Sequence, residues 1–405
     1  MNGSIERRVD MPTAFVAAAL VLTGIASIYS ATYDAGLSDI AARQLMWAGA
    51  GLAAFLVAAF MPFRLLQRIS LPSYFLAILM LFSVLVLGRT ISGSTSWFSI
   101  GTLRFQPSEF AKVTTALALS TYIARSDVYL SNVRNLIVAI GIVILPVAFI
   151  LMQPDVGTAL IYLAMLLPVI YWSGASRFAI LSLIAPAIVA IAALFGTTAF
   201  LIAVVILGVL LYVTKENRLV AAAVFSLCVL IGVSVQFIYN GLKPYQQKRI
   251  DTFLDPGADP LGAGYNVLQS KVAIGSGGFA GKGYLAGTQT QLRFIPEQWT
   301  DFIFCVPGEE FGFIGAALVL ALFLTLLLRG VRLASAVKNP FGSVLAIAMT
   351  SIFAAHVFIN IGMSLGLLPV IGVPLPFLSY GGSALLTNMM MVGLMMNLYA
   401  HRAEY

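Results

Sequence analysis

A carboxylate set between proline and glycine is the first group in this sequence that could do chemistry. Asp259 stands in the run DPLGAGY. Pro260 restricts the backbone of Asp259, and Gly262 and Gly264 permit unusual dihedrals or close backbone approach. A carboxylate fixed in this way suits general-base work. The plainer alternative is a turn closed by an Asx bond, and the same residues allow it. Asp255, in DPGAD, has a still more turn-like setting, and Asp251, Glu297 and Asp301 are the other carboxylates of the stretch. The chain has two histidines, His356 in an apolar segment and His401 in the tail. No metal cluster can be built from them, so a base in this stretch must be a carboxylate.

A second group lies near the start of an apolar segment. Glu109 and Lys112 are three residues apart, just past Pro107, which suits a first helical turn. Ionisable residues inside a membrane are costly and face a partner or a cavity. The pair is read either as an ion pair that locks packing or as the lining of a polar site. Arg104, just before it, could grip an anionic group bidentately. Asp155, in QPDVGTAL, is placed either to cap the next helix or to join that site. Lys271, Lys282 and Arg293 give the Asp259 stretch an excess of positive charge. An anionic, pyrophosphate-linked lipid would account for it, and so would a solvated surface. Cys228 and Cys305 show neither metal spacing nor a disulfide framework.

The elements that must position these groups are membrane helices. Of 405 residues, 60% are hydrophobic and 10% charged. Soluble domains carry about 25% charged residues, so lipid must cover much of this surface. Apolar runs predict helices at 12–31, 44–62, 71–88, 107–124, 135–152, 157–174, 177–195, 198–214, 218–239, 308–329, 343–366 and 382–400. The segment after Arg7 and Arg8 is too long for a signal-peptide core. With the N-terminus inside, the inner loops hold Arg7, Arg8, Arg64, Arg68, Arg125, Arg134, Arg177, Lys215, Arg218, Arg329, Arg332, Lys338 and Arg402. Short outer loops hold Arg43, Arg89 and Arg104. That asymmetry puts both termini in the cytoplasm, and it also explains the net charge of +7 without nucleic acid.

The expected fold is therefore an all-α polytopic membrane protein, a single domain over 1–405 with about 10–12 transmembrane helices. One large extracytoplasmic loop, 240–307, is rich in glycine yet holds apolar residues to bury. Within it Tyr265, Leu268 and Val272 are spaced for a short amphipathic helix along the membrane surface. Pro369, Pro374 and Pro376 forbid a continuous helix from Gly366 to Leu386, so a broken segment beside a groove is expected there.

The stretch GVPLPFLSYGGSALL resembles the signature of the shape, elongation, division and sporulation family, and its surroundings resemble the RodA-type branch. FQPSEFAK, QPDVGTAL, DPLGAGY, QSKVAIGSGG and TDFIFCVPGEEFG resemble further blocks of that family in the same order. The resemblance implies an enzyme of the bacterial inner membrane, a lipid II polymerase that works with a class B penicillin-binding protein during wall elongation. It implies Asp259 as the catalytic base, and Glu109, Lys112, Asp155, Arg43 and Arg104 match its charged positions; with Lys271 and Ser379 these five are the candidate substrate-binding residues. It fixes no certain cofactor. Mg2+ or Mn2+ would suit the leaving-group charge, but no metal site can be read. The family has ten helices where this sequence shows about twelve, with an extra pair between 177 and 239. The rival expectations are a flippase for the same lipid and a noncatalytic scaffold for the penicillin-binding protein.

Overall fold

The computed structural model describes residues 10–33, 38–91, 94–100, 103–214, 218–242, 247, 264–296 and 298–403. Helices α1 (Met11–Thr32), α2 (Ser38–Phe60) and α3 (Phe63–Leu87) lead into strands β1 (Arg89–Ile91), β2 (Ser94–Ile100) and β3 (Leu103–Phe105). Then follow α4 (Pro107–Ile123), α5 (Val133–Met152), α6 (Val156–Trp172), α7 (Arg177–Leu194), α8 (Thr197–Thr214) and α9 (Arg218–Gly241). Short helices α10 (Tyr265–Ser276), α11 (Thr288–Gln291) and α12 (Cys305–Glu310) precede α13 (Gly312–Ala336), α14 (Pro340–Ser364) and α15 (Gly382–Ala400). Among the described residues, ten helices are long and apolar enough to cross a membrane. The other two long ones, α4 and α6, have 17 residues each. The architecture is thus the expected all-helical, polytopic membrane fold, and each of the twelve predicted runs is a helix.

Burial ranks the helices. The apolar windows of α14 and α15 are 78% and 72% buried, against 17% for α2, so α14 and α15 form the centre and α2 faces outward. Most of α4 is buried against them as well. Small residues allow the closest approaches, as in other membrane helices. A Cβ on Gly24 of α1 would lie 2.3 Å from the Phe377 carbonyl oxygen.

Helices α7, α8 and α9 pack mainly on one another, around their own cluster of Phe178, Ala185, Val189, Leu207, Leu211 and Cys228. The connections are short in this region, and the structure has three separate helices there. A second departure is the antiparallel sheet β1-β2-β3 in the loop before α4, where only a loop was expected. Its central strand, STSWFSI, carries the β-branched and aromatic residues that suit a pleated surface.

Loop contacts define two ends of the bundle. At one end Arg329 donates to Asp10 and Thr13, Trp172 Nε1 donates to Ser343 Oγ at 2.9 Å, and Lys338 N donates to the Arg402 carbonyl. At the other end Ser94 Oγ donates to the Gln153 carbonyl, Tyr380 N to the Trp299 carbonyl and Gln298 Nε2 to the Ala31 carbonyl. The second end gathers the sheet, the starts of α4 and α6, the 264–310 segment and the broken segment before α15.

Candidate functional site

Helix α4 enters the second end of the bundle with Pro107 in its first turn. Gln106, just before it, ties three elements together. Its backbone N–H donates to Ser383 Oγ of α15 at 3.3 Å, and its Nε2 donates to Asp155 Oδ2 at 3.0 Å. Asp155 caps α6, accepting from Thr158 N at 3.1 Å and Thr158 Oγ1 at 2.8 Å. Asp155 is therefore a cap, and its carboxylate also faces the start of α4.

Just inside, Lys112 Nζ donates to Glu109 Oε1 at 3.0 Å and Oε2 at 3.1 Å. A third contact, 2.8 Å, joins it to His356 Nε2 of α14. All three side chains are buried, Lys112 completely. An ammonium has three N–H groups, and here each has a protein partner. Lys112 thus sits at the site as a fixed charge. His356 is the residue that sequence reasoning missed. It is 244 positions from Lys112 in the chain, and a lone histidine in an apolar run gives no signal of its partner.

The broken segment behaves as its prolines require. Residues 366–381 form no helix, and α14 side chains satisfy its backbone. Asn360 Nδ2 donates to the Val373 carbonyl at 2.7 Å and the Asp301 carbonyl at 2.8 Å. Ser379 is buried. Its Oγ donates to the Thr300 carbonyl at 2.6 Å and accepts from Leu375 N at 2.8 Å, so its hydroxyl is occupied by main chain. Lys271 reaches the start of this segment: a Cβ on Gly366 would lie 2.6 Å from its Nζ. Helix α10, which carries Lys271, is present as predicted. It turns Val267, Ser270 and Ala273 inward and leaves Leu268 and Val272 exposed. Arg104 is exposed on β3 and Arg43 on α2. The structure thus gathers Glu109, Lys112 and Asp155, with Arg104 on the adjoining strand and Lys271 by the broken segment. Asp259, Asp255, Asp251 and Glu297 lie outside the described residues.

A second carboxylate centre anchors the long loop. Glu309, fully buried, accepts from Lys282 Nζ at 2.7 Å, Gln289 N at 2.8 Å, Thr290 N at 2.9 Å and Thr290 Oγ1 at 2.7 Å. Burial alone would raise its carboxyl. The Lys282 ammonium and the donors at 289 and 290 outweigh that and hold it below the ordinary carboxylate value. Lys282 is thereby engaged with the protein, which removes it from the cations counted as holding an anionic lipid. Its neighbour Glu310 accepts from Ser30 Oγ of α1 and from Leu285 N, and burial pushes it the opposite way, upward. Burial also pushes the Cys305 thiol up to about 12, so it is no nucleophile.

Glu309→Ala should release residues 282–294. We expect a local loss of about 2–3 kcal/mol, because a buried charge and its donors lose one another. Amide exchange would read it as faster exchange at Gln289 and Thr290. The folded pKa of Glu309 is depressed, so in wild type this protection is complete above the ordinary glutamate value of about 4.3. It is lost as pH falls through the lower folded value. Unchanged exchange in the variant would refute the anchor.

The described residues do not fit Mg2+ or Mn2+. Glu109 is committed to Lys112, Asp155 to its cap and Glu309 to Lys282. No three His, Cys, Asp or Glu among the described residues are grouped to hold a metal. No step below passes through one.

A sequence profile of the cell cycle protein family of FtsW, RodA and SpoVE matches residues 11–200 and 182–404. The Escherichia coli K12 peptidoglycan glycosyltransferase MrdB is 36% identical over 385 residues, covering 95% of this chain and 91% of that protein. Among solved structures, a chain of a peptidoglycan synthase complex that coordinates polymerization and crosslinking superposes with TM-score 0.74 at 28% identity. The match covers 98% of this chain and 99% of that one. Thermus thermophilus rod shape determining protein RodA gives TM-score 0.65 at 25% identity, over 98% of each chain. The chain belongs to the FtsW, RodA and SpoVE family.

Proposed function

We propose that this chain, a peptidoglycan glycosyltransferase by its family and relatives, polymerises lipid II into β-1,4 glycan strands for wall elongation. Residues 1–405 act as one membrane domain, and 240–307 form its extracytoplasmic catalytic loop. The basic residues of the inner loops put the end with Asp10 and Arg402 in the cytoplasm. The site end then faces outward from the bacterial inner membrane. The observation that carries the reading is the buried Glu109–Lys112 pair at that end. It lies within the first two turns of α4, in the same end as the irregular segment and α10, the first described helix after Asp259 in the sequence.

Asp259 takes the proton from the 4-hydroxyl of the acceptor GlcNAc as that oxygen attacks the anomeric carbon of the donor MurNAc. The bond from that carbon to the pyrophosphate oxygen breaks, and its electron pair leaves with undecaprenyl pyrophosphate. The anomeric configuration inverts. Arg104, Lys271 and Arg43, all exposed, meet the phosphates. Lys112 contributes a fixed positive charge where negative charge develops. Exposed apolar faces of the outer helices leave room for the lipid tails. A class B penicillin-binding protein crosslinks the product.

The test is glycan-strand synthesis from labelled lipid II by the purified chain. Its cognate penicillin-binding protein is present with the transpeptidase blocked. Polymer is expected. A stable complex that makes none would move the assignment to a flippase or a scaffold.

A further inference from the structure

His356 is a buried ring in contact with the charged pair, and the proposed mechanism does not use it. Its Nδ1 lies 3.0 Å from the Pro374 carbonyl oxygen. A carbonyl only accepts, so Nδ1 carries the hydrogen. In a neutral ring Nε2 is then the acceptor, and the Lys112 ammonium, 2.8 Å away, donates to it. A charged ring would instead turn an N–H toward the N–H groups of Lys112. The two contacts run in one direction, from Lys112 through the ring to the proline-rich segment. Lys112 belongs to α4, His356 to α14 and Pro374 to the irregular segment, so one side chain links three parts of the site.

We infer that His356 is a positioning residue for Lys112. Its neutral Nδ1–H tautomer, locked by Pro374, takes the third N–H of the ammonium and fixes the charged pair against the broken segment. Glu109 alone would leave one ammonium N–H buried without a partner, and such a group is free to seek another rotamer. With His356 in place the ammonium has one position, set from the backbone of the broken segment. The effect on catalysis rests on the function proposed above. The geometry of the ring does not.

The test therefore has two readouts. The chain has two histidines, so nitrogen-15 histidine labelling gives a spectrum that His356→Gln assigns. We expect a neutral His356 ring in the Nδ1–H tautomer, with an Nε2 shift that moves toward that of a free acceptor in Lys112→Met. A charged ring, the Nε2–H tautomer, or an Nε2 shift unmoved in a folded Lys112→Met protein would overturn the inference. If Lys112→Met does not fold, the wild-type tautomer decides this arm alone. In polymer synthesis, His356→Leu should lower kcat about tenfold or more with KM nearly unchanged, the pattern of lost transition-state positioning. His356→Gln, whose amide can still accept from Lys112 and donate to Pro374, should recover to within about threefold. Equal kcat in wild type and His356→Leu would overturn the inference. If wild type makes no polymer, the proposed function fails, and the tautomer still decides the role of His356.

Discussion

Asp259→Asn is expected to abolish glycan-strand synthesis, lowering turnover by about 10²–10⁴-fold, the range that a positioned base supplies. The folded yield should stay near that of wild type. Asparagine is the informative replacement because it separates two readings that the sequence leaves open. A turn closed by an Asx bond accepts asparagine as readily as aspartate, so a merely structural Asp259 would tolerate the change. A base would not, since the amide cannot take a proton from the acceptor hydroxyl. The chain beyond Asp259 is well anchored for such a role. Helix α10 begins six residues later, at Tyr265, and Ser270 Oγ donates to the Ser364 carbonyl at 2.6 Å. Further on, Glu309 holds 289 and 290 in place. The measurement is polymer length and yield on a gel, at equal folded protein. Polymer from the variant comparable to wild type would remove Asp259 as the base.

Periodicity and proline made most of this fold legible before any coordinates. Twelve apolar runs became twelve helices because lipid allows few other spanning structures. The broken stretch from Gly366 followed from three prolines. The Glu109–Lys112 contact was legible because residues three apart share a helix face, and the cap at Asp155 because its sequence has the cap form. What stayed hidden was long-range partnership. Nothing local ties His356 to Lys112, or Glu309 to Lys282, and those contacts decide which charges are open to a substrate. Counting Lys282 as a surface cation overlooked a carboxylate 27 positions away. The small sheet was missed for another reason: short strands of three and seven residues leave little periodic signal between long apolar helices.

Removing one member of the buried pair should be more damaging than removing both. Lys112→Met leaves the Glu109 carboxylate buried without its counter-ion, and Glu109→Gln leaves the ammonium with a poorer partner. Losing one side of a buried ion pair costs about 3–5 kcal/mol, whereas exchanging both for neutral groups of similar volume is often nearly neutral. Both side chains are almost fully buried, 1% exposed for Lys112 and 4% for Glu109, so water cannot soften the single losses. The expected result is a lower unfolding temperature in detergent for each single variant, with most of it regained in Glu109→Gln/Lys112→Met. Polymer synthesis should not return with stability. A fixed positive charge near the developing pyrophosphate is absent from the double variant, and packing cannot replace it. Recovery of both properties together would make the pair a packing device and shift the electrostatic burden to Arg104 and Lys271. Recovery of stability alone would place Lys112 in the reaction, because fold and catalysis would then have been separated at a single contact.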